Sequence, residues 1–183
     1  MLKSWSCSLI AALALGAQAQ DFVLTSAQIQ PGQVIADQQV FKGFGCSGGN
    51  VSPALQWHGA PSATRSYALT MYDPDAPTGS GWWHWLVFNL PATTQSLPAG
   101  AGNVQAGLMP AQAVQGRTDF GVPGYGGPCP PVGDKPHHYI FTLYALKVDH
   151  LELKADAPAA MVGYFLHQNA LAHASLEAVY GRP

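Results

Sequence analysis

Apolar and polar positions along the chain fall into short runs, three of them pronounced. Residues 66–73 (SYALTMYD), 83–90 (WHWLVFNL) and 138–146 (HYIFTLYAL) are rich in aromatic and β-branched side chains, which predicts strands. Weaker strand patterns occupy residues 22–29 (FVLTSAQI), 54–59 (ALQWHG) and 174–180 (ASLEAVY). Between them, FGCSGGNVSP, DAPTGSG and VPGYGGPCPPVGDKP carry the glycines and prolines of turns. The last of these has too many prolines, each lacking an N–H donor, to run inside a sheet. One helix is predicted, with Asp156 as N-cap, Pro158 in the first turn and AAMVGYFLHQNAL continuing at near-helical spacing. Gly163 weakens that helix by about 1 kcal/mol relative to alanine. With no repeat or linker, the pattern predicts one mostly-β domain carrying a late helix.

Side chains alternate across a strand, so parity indicates which polar residues can share a face with the core. Asp73 has the parity of Tyr67, Leu69 and Met71. His84 has that of Leu86, Phe88 and Leu90, and His137 and Tyr139 have that of Phe141 and Leu143. Each strong strand thus delivers a polar group to the end of an apolar row. Any one of these histidines alone reads as well as a hydrogen-bonded core side chain. Together they mark a pocket only where the three strand ends meet. Trp83 and Trp85, of opposite parity to His84, are expected to pack or to line a rim.

Composition narrows the class. A chain of 183 residues with 10% charged residues and a net charge of -2 fits one domain and gives no reason to expect nucleic acid or an anionic membrane as partner. After residue 19, no stretch approaches the ~18 apolar residues of a membrane span. The first nineteen residues, MLKSWSCSLIAALALGAQA, place Lys3 before an apolar run (residues 9–15) and end in Ala17-Gln18-Ala19. That is the three-part pattern of a secretory signal, with cleavage expected after Ala19. Residues 1–19 therefore read as a signal peptide and residues 20–183 as a periplasmic or secreted domain. Cys7 precedes the apolar run without a lipobox, so a lipid anchor is not expected. Export leaves Cys46 and Cys129 as an even pair in an oxidising compartment, read as a disulfide, with two separate buried thiols as the alternative.

DPDAP (residues 73–77), GWWHW (81–85) and YGGPCPPVGDKPHHYIFTLYAL (125–146), in that order, resemble the motifs of the phosphatidylethanolamine-binding proteins. GFGCSGGNVSPALQW (43–57) and MVGYFLHQNALAHASLEAVYG (161–181) resemble the bacterial branch labelled Raf-kinase-inhibitor-like. The resemblance implies an antiparallel Greek-key β-sandwich with one or two short helices and a small anion pocket near one end of a sheet. Carried over residue by residue, it places Asp73, Asp75, His84, Pro131, His137 and Tyr139 at that pocket. Gly126 and Gly127 are expected to let the loop backbone approach a bound oxyanion. The sequence ends in AVYGRP (residues 178–183), without the C-terminal helical extension of eukaryotic members. That departure argues against a deep lipid pocket and kinase inhibition, and Tyr180 is not equated with a tyrosine of that extension.

In this reading Asp73 accepts from one histidine nitrogen so that the other faces the ligand, and the carboxylate favours a charged imidazolium. Loop N–H groups and the Tyr139 hydroxyl complete the donors. Asp75 either caps the turn or meets the ammonium of an ethanolamine head group. Asp73, His84 and His137 would also suit a two-His, one-carboxylate metal set, but no compact metal spacing accompanies them, so no metal or other cofactor is expected. There is no G-x-S-x-G elbow, and Ser80 between Gly79 and Gly81 reads as a flexible turn. The leading expectation is non-enzymatic binding of a small anion or phosphorylated head group. The alternative is a protein-interaction module inhibiting an exported hydrolase, with a hydrolytic enzyme third. Oligomeric state is not legible in the sequence, and the resemblance leaves a homodimer open.

Overall fold

A computed structural model describes residues 21–183, so the expected signal peptide lies outside the described residues. In chain order the elements are β1 (Val23–Thr25), β2 (Lys42–Gly43), β3 (Cys46–Ser47), β4 (Leu55–His58), β5 (Ser66–Asp73) and β6 (Trp82–Pro91). They continue with β7 (Ser96–Leu97), β8 (Val114–Gln115), β9 (His137–Leu146), α1 (Ala159–Asn169) and β10 (Ala170–Tyr180). Five strands form the main sheet in the order β10-β9-β5-β6-β8, three form a small sheet β1-β4-β7, and β2-β3 is a hairpin. All these pairings are antiparallel. β9 returns to pair with β5 on the side away from β6, the crossover that a Greek-key sandwich requires.

The main sheet is covered on both faces. On one, Met71, Trp85, Phe141 and Leu143 pack against Leu24, Leu55, Trp57 and Leu97 of the small sheet. On the other, Ala68, Leu86, Phe88 and Leu146 pack against Val162 and Leu166 of α1 and against Leu151. Burial on both faces explains why β5 reads as a nearly continuous apolar run and not as a strict alternation. The free edge of β10 is closed by an extended segment, where Gly32 N–H donates to Glu177 O (2.9 Å) and Ile35 N–H to Val179 O (2.8 Å).

Several predicted boundaries move, each for a local reason. The first strand stops at Thr25 because the Ser26 hydroxyl accepts from the N–H groups of Gln28 (3.1 Å) and Ile29 (3.2 Å), which turns the chain. Asp156 does not cap the helix. Pro158 occupies the N-cap position without a side-chain cap, and its carbonyl accepts from Met161 and Val162 N–H. The helix ends at Asn169 and the chain enters β10 directly at Ala170, four residues before the predicted strand start. There the pattern of buried Ala174, Leu176 and Ala178 alternating with exposed neighbours suits a strand over β9 better than another helical turn.

The parity reading of β6 needs a larger correction. Its register against β5 shifts twice, once between the pairs Tyr67↔Leu90 and Leu69↔Val87 and once between Met71↔Trp85 and Tyr72↔Trp83. Each shift is a β-bulge, and each moves the following side chains to the opposite face. At the first, Asn89 adopts a left-handed φ of 60° and its side chain bonds the backbone of Leu151. Leu90 therefore joins the small-sheet core, whereas Leu86 and Phe88 face the helix. At the second, His84 is the extra residue. Without it His84 would point with Leu86 toward α1; with it, the imidazole lies on the side of Asp73 and Tyr139.

Candidate functional site

The end of β5, the bulge of β6 and the start of β9 meet around a cavity of about 160 Å³. Asp73, His84, His137 and Tyr139 line one side of it, and Pro130, Pro131 and Phe120 line the other. The three strand ends marked by parity thus come together, His84 by way of its bulge.

Asp73 is 3% exposed and both of its oxygens are engaged. Oδ2 accepts from His137 Nδ1 at 2.8 Å. Oδ1 accepts from the N–H groups of Asp75 (2.8 Å) and Ala76 (3.1 Å), which sets the turn between β5 and β6. The far nitrogen of His137, Nε2, stands 3.5 Å from Asp134 Oδ2. Asp75 lies outside the cavity wall. Its Oδ2 accepts from the backbone N–H and from Nδ1 of His138, both at 2.7 Å. Chiefly through the His138 N–H, this holds the Asp75 carboxyl below its ordinary range. The side-chain bond from Nδ1 to Asp75 Oδ2 raises the exposed His138 imidazole above its own. The turn-cap expected of Asp75 is therefore supplied by Asp73, while Asp75 ties the turn to β9.

His84 is 4% exposed, and its Nδ1 lies 2.7 Å from Gly126 O. A carbonyl only accepts, so the proton sits on Nδ1 and Nε2 carries a lone pair. Burial pushes this imidazole down to about 4, and the Gly126 carbonyl and the Asp73 charge offset only part of that. His84 is thus a neutral imidazole at neutral pH. A pH dependence follows with a definite sign. The group is neutral in the fold and titrates near 6.5 when unfolded, so unfolding takes up a proton between about pH 4 and 6.5. Stability is therefore complete above pH 6.5 and falls by up to about 3 kcal/mol as pH drops to 4. Urea unfolding across this range checks it: His84→Gln removes roughly one proton from the slope, and an unchanged slope rejects the assignment.

The Tyr139 side chain is 0% exposed, and its hydroxyl has no hydrogen-bond partner among the described residues. Burial first, then the nearby Asp73 charge, holds the phenol well above its ordinary range, so it stays a neutral O–H. The His84 and Tyr139 rings meet edge to face with centroids 5.2 Å apart.

Gly126 and Gly127 do not line this cavity. The Gly126 N–H donates to His84 O (2.9 Å) and the Gly127 N–H to Asn50 Oδ1 (2.8 Å), so neither is free for an oxyanion. Their missing side chains serve packing instead. A Cβ on Gly126 would lie 2.3 Å from the Phe120 ring, and one on Gly127 would lie 2.0 Å from Gln39 O. Phe120, Phe44 and Trp82 are wall residues that the sequence did not single out. Phe120 and Phe44 come from loops without periodicity, and the crowding of Gly126 by a ring is the only trace Phe120 leaves. Cys46 and Cys129 form a disulfide, with Cα atoms 6.0 Å apart, and Cys129 also touches the cavity. Among the described residues, no group of three or more His, Cys, Asp or Glu is arranged to hold a metal ion. None of the helices there is long and apolar enough to cross a membrane.

Comparison with known proteins agrees with this architecture. The family model for phosphatidylethanolamine-binding proteins matches residues 25–181. The chain is 50% identical over 173 residues to the UPF0098 protein YbcL of Escherichia coli K12, an alignment covering 94% of each. It is 47% identical over 159 residues to YbhB of the same strain, covering 86% of this chain and 98% of that one. The crystal structure of E. coli YbcL, presented as a new member of the mammalian PEBP family, superposes with a TM-score of 0.88 at 51% identity. That superposition covers 90% of this chain and 100% of YbcL. With the family motif spanning nearly all of the described residues and two relatives near half identity, the chain belongs to the phosphatidylethanolamine-binding protein family.

Proposed function

We propose that this chain is an exported, non-enzymatic binding protein for a small oxyanion or phosphorylated head group, held in the cavity of Asp73, His84, His137 and Tyr139. The observation that carries the reading is the Tyr139 hydroxyl, buried and unpartnered on the wall of that cavity. An orphaned buried hydroxyl costs about 1–3 kcal/mol unless a ligand or water satisfies it. The family name points the same way. Catalysis is disfavoured because Asp73 has no free oxygen to act as a base, and the Thr78 hydroxyl on the wall donates to Gly81 O. Export is supported by the signal pattern of residues 1–19 and by the disulfide.

Titration with phosphate or phosphoethanolamine, followed through the histidine side-chain NMR signals, tests the binding reading. Shifts are expected at His84 and His137, and they should vanish in His84→Ala and His137→Ala. Absent shifts in the wild type, or equal shifts in the variants, would sink it.

A second reading, a protein-interaction module acting on an exported hydrolase, draws on a groove of about 600 Å³ beside the cavity. Phe44 (69% exposed), Val122 (59%) and Val104 (45%) stand on its walls. Capture of a hydrolase from an exported fraction that survives loss of both pocket histidines would favour this reading.

A further inference from the structure

We infer that the cavity selects an oxyanion that still carries a proton, through the lone pair of His84 Nε2. This rests on the anion-pocket reading above and specifies the protonation state of the ligand.

Among the described residues, the Tyr139 hydroxyl and His84 Nε2 stand on the wall without a hydrogen-bond partner and are of opposite kinds, and Trp82 brings an indole N–H as a further donor. The Tyr139 hydroxyl can donate. His84 Nε2 can only accept, because the ring proton is committed to Gly126 O at 2.7 Å. The other polar groups of the wall do not change this balance. Asp73 is an acceptor already in use, and the far nitrogen of His137 faces Asp134. Among the described residues, neither lysine nor arginine lines the cavity.

The groups facing His84 come from every neighbouring element. Asp73 comes from β5, Tyr139 from β9, and Asp119, Phe120 and the Gly126 backbone from the segment between β8 and β9. The charged ones, Asp73 and Asp119, are both carboxylates. A fully deprotonated oxyanion would therefore set its oxygens against a nitrogen lone pair and two negative charges. A hydrogen phosphate or phosphomonoester monoanion meets the wall on both counts. Its P–O–H donates to His84 Nε2 while another oxygen accepts from Tyr139. The two rings meet edge to face with centroids 5.2 Å apart, and both line the same cavity. Inorganic phosphate keeps one P–O–H even as its dianion, whereas a phosphomonoester, whose second ionisation lies at about pH 6, is fully deprotonated above pH 7 and must take up a proton on binding. Sulfate and phosphodiesters carry no such proton, so the free phosphomonoester head group is preferred to the intact lipid, which is a diester.

Isothermal titration of the full oxidised chain at pH 8 decides this. The panel is phosphate, phosphoethanolamine, sulfate and dimethyl phosphate, each in two buffers of different ionisation enthalpy. Phosphoethanolamine should bind with uptake of about one proton, and inorganic phosphate, which brings its own P–O–H, with almost none. Sulfate and dimethyl phosphate should bind at least about tenfold more weakly, since each leaves the acceptor unmatched. In His84→Gln, whose amide can donate, sulfate should come within about threefold of phosphate and the proton uptake of phosphoethanolamine should disappear. Should that variant fail to fold, the wild-type panel decides alone. Sulfate matching phosphate, or phosphoethanolamine binding without proton uptake, overturns proton selection but spares the pocket. Failure of all four ligands to bind overturns the pocket reading and the inference with it.

Discussion

Reduction of the Cys46–Cys129 bond should lower the urea midpoint of the folded chain by about 2 M and should weaken phosphate binding as well. The first effect comes from the unfolded chain. The bond closes a loop across a sequence separation of 83, which removes about 4–5 kcal/mol of chain entropy from the denatured ensemble in an idealised treatment. With a urea dependence of about 2 kcal/mol per molar, that is a shift of roughly 2 M. The second effect comes from the fold. Cys46 opens β3 and Cys129 stands in the cavity wall, so the bond clamps the β2–β3 hairpin against the pocket. At the hairpin turn Phe44 adopts a left-handed φ of 52° and stacks on Phe120 at 5.8 Å, and Phe120 meets the His84 ring at 5.3 Å. Freeing the hairpin loosens this aromatic wall. Tryptophan fluorescence in urea with and without reductant, and calorimetry on Cys129→Ser, check both effects. An unchanged midpoint would show that the bond restrains little, and intact mass before and after alkylation shows directly whether it forms.

The fold was legible wherever burial alone sets the pattern. Residues 66–73 and 138–146 are apolar on both faces because the main sheet is covered twice, and their strand limits agree with the sequence to within a residue. The Asp–His pairing at the ends of β5 and β9 was legible because a polar residue closing an apolar row marks where a strand leaves the core. What a period of two cannot show is an inserted residue. His84 and Asn89 look like ordinary members of an apolar run, yet each resets the face of its neighbours. Strict parity would have turned His84 toward the helix, and only the register against β5 turns it toward Asp73. The glycines were misleading for a related reason. Gly126 and Gly127 signal close backbone approach, but a glycine does not say what approaches, and here it is Phe120 and the Gln39 carbonyl.

Asp73→Ala should destabilise the chain by about 3–5 kcal/mol, whereas Asp75→Ala should cost under about 1 kcal/mol. The two carboxylates sit in the same DPDAP turn, each paired with a histidine of β9 at nearly equal distance, 2.8 Å for Asp73–His137 and 2.7 Å for Asp75–His138. Burial separates them. The Asp73–His137 side chains are 4% and 5% exposed, and those of Asp75–His138 are 41% and 48% exposed. Removing Asp73 leaves a buried imidazole N–H and two turn amides without their acceptor, and water has little access to replace it. Removing Asp75 exposes its partners to solvent, which takes its place. Asp73→Asn distinguishes charge from hydrogen bonding: its amide oxygen can still hold the turn amides, so a loss of about 1–3 kcal/mol is expected. Urea unfolding of the three variants gives the comparison, and a double-mutant cycle between Asp73 and His137 should return a coupling above about 1 kcal/mol. Phosphate binding should fail in both Asp73 variants even where the chain folds, because His137 and the turn would no longer be held at the cavity. Equal costs for Asp73→Ala and Asp75→Ala would instead mean that the turn is anchored from its exposed side, and the buried pair would then be dispensable to the fold.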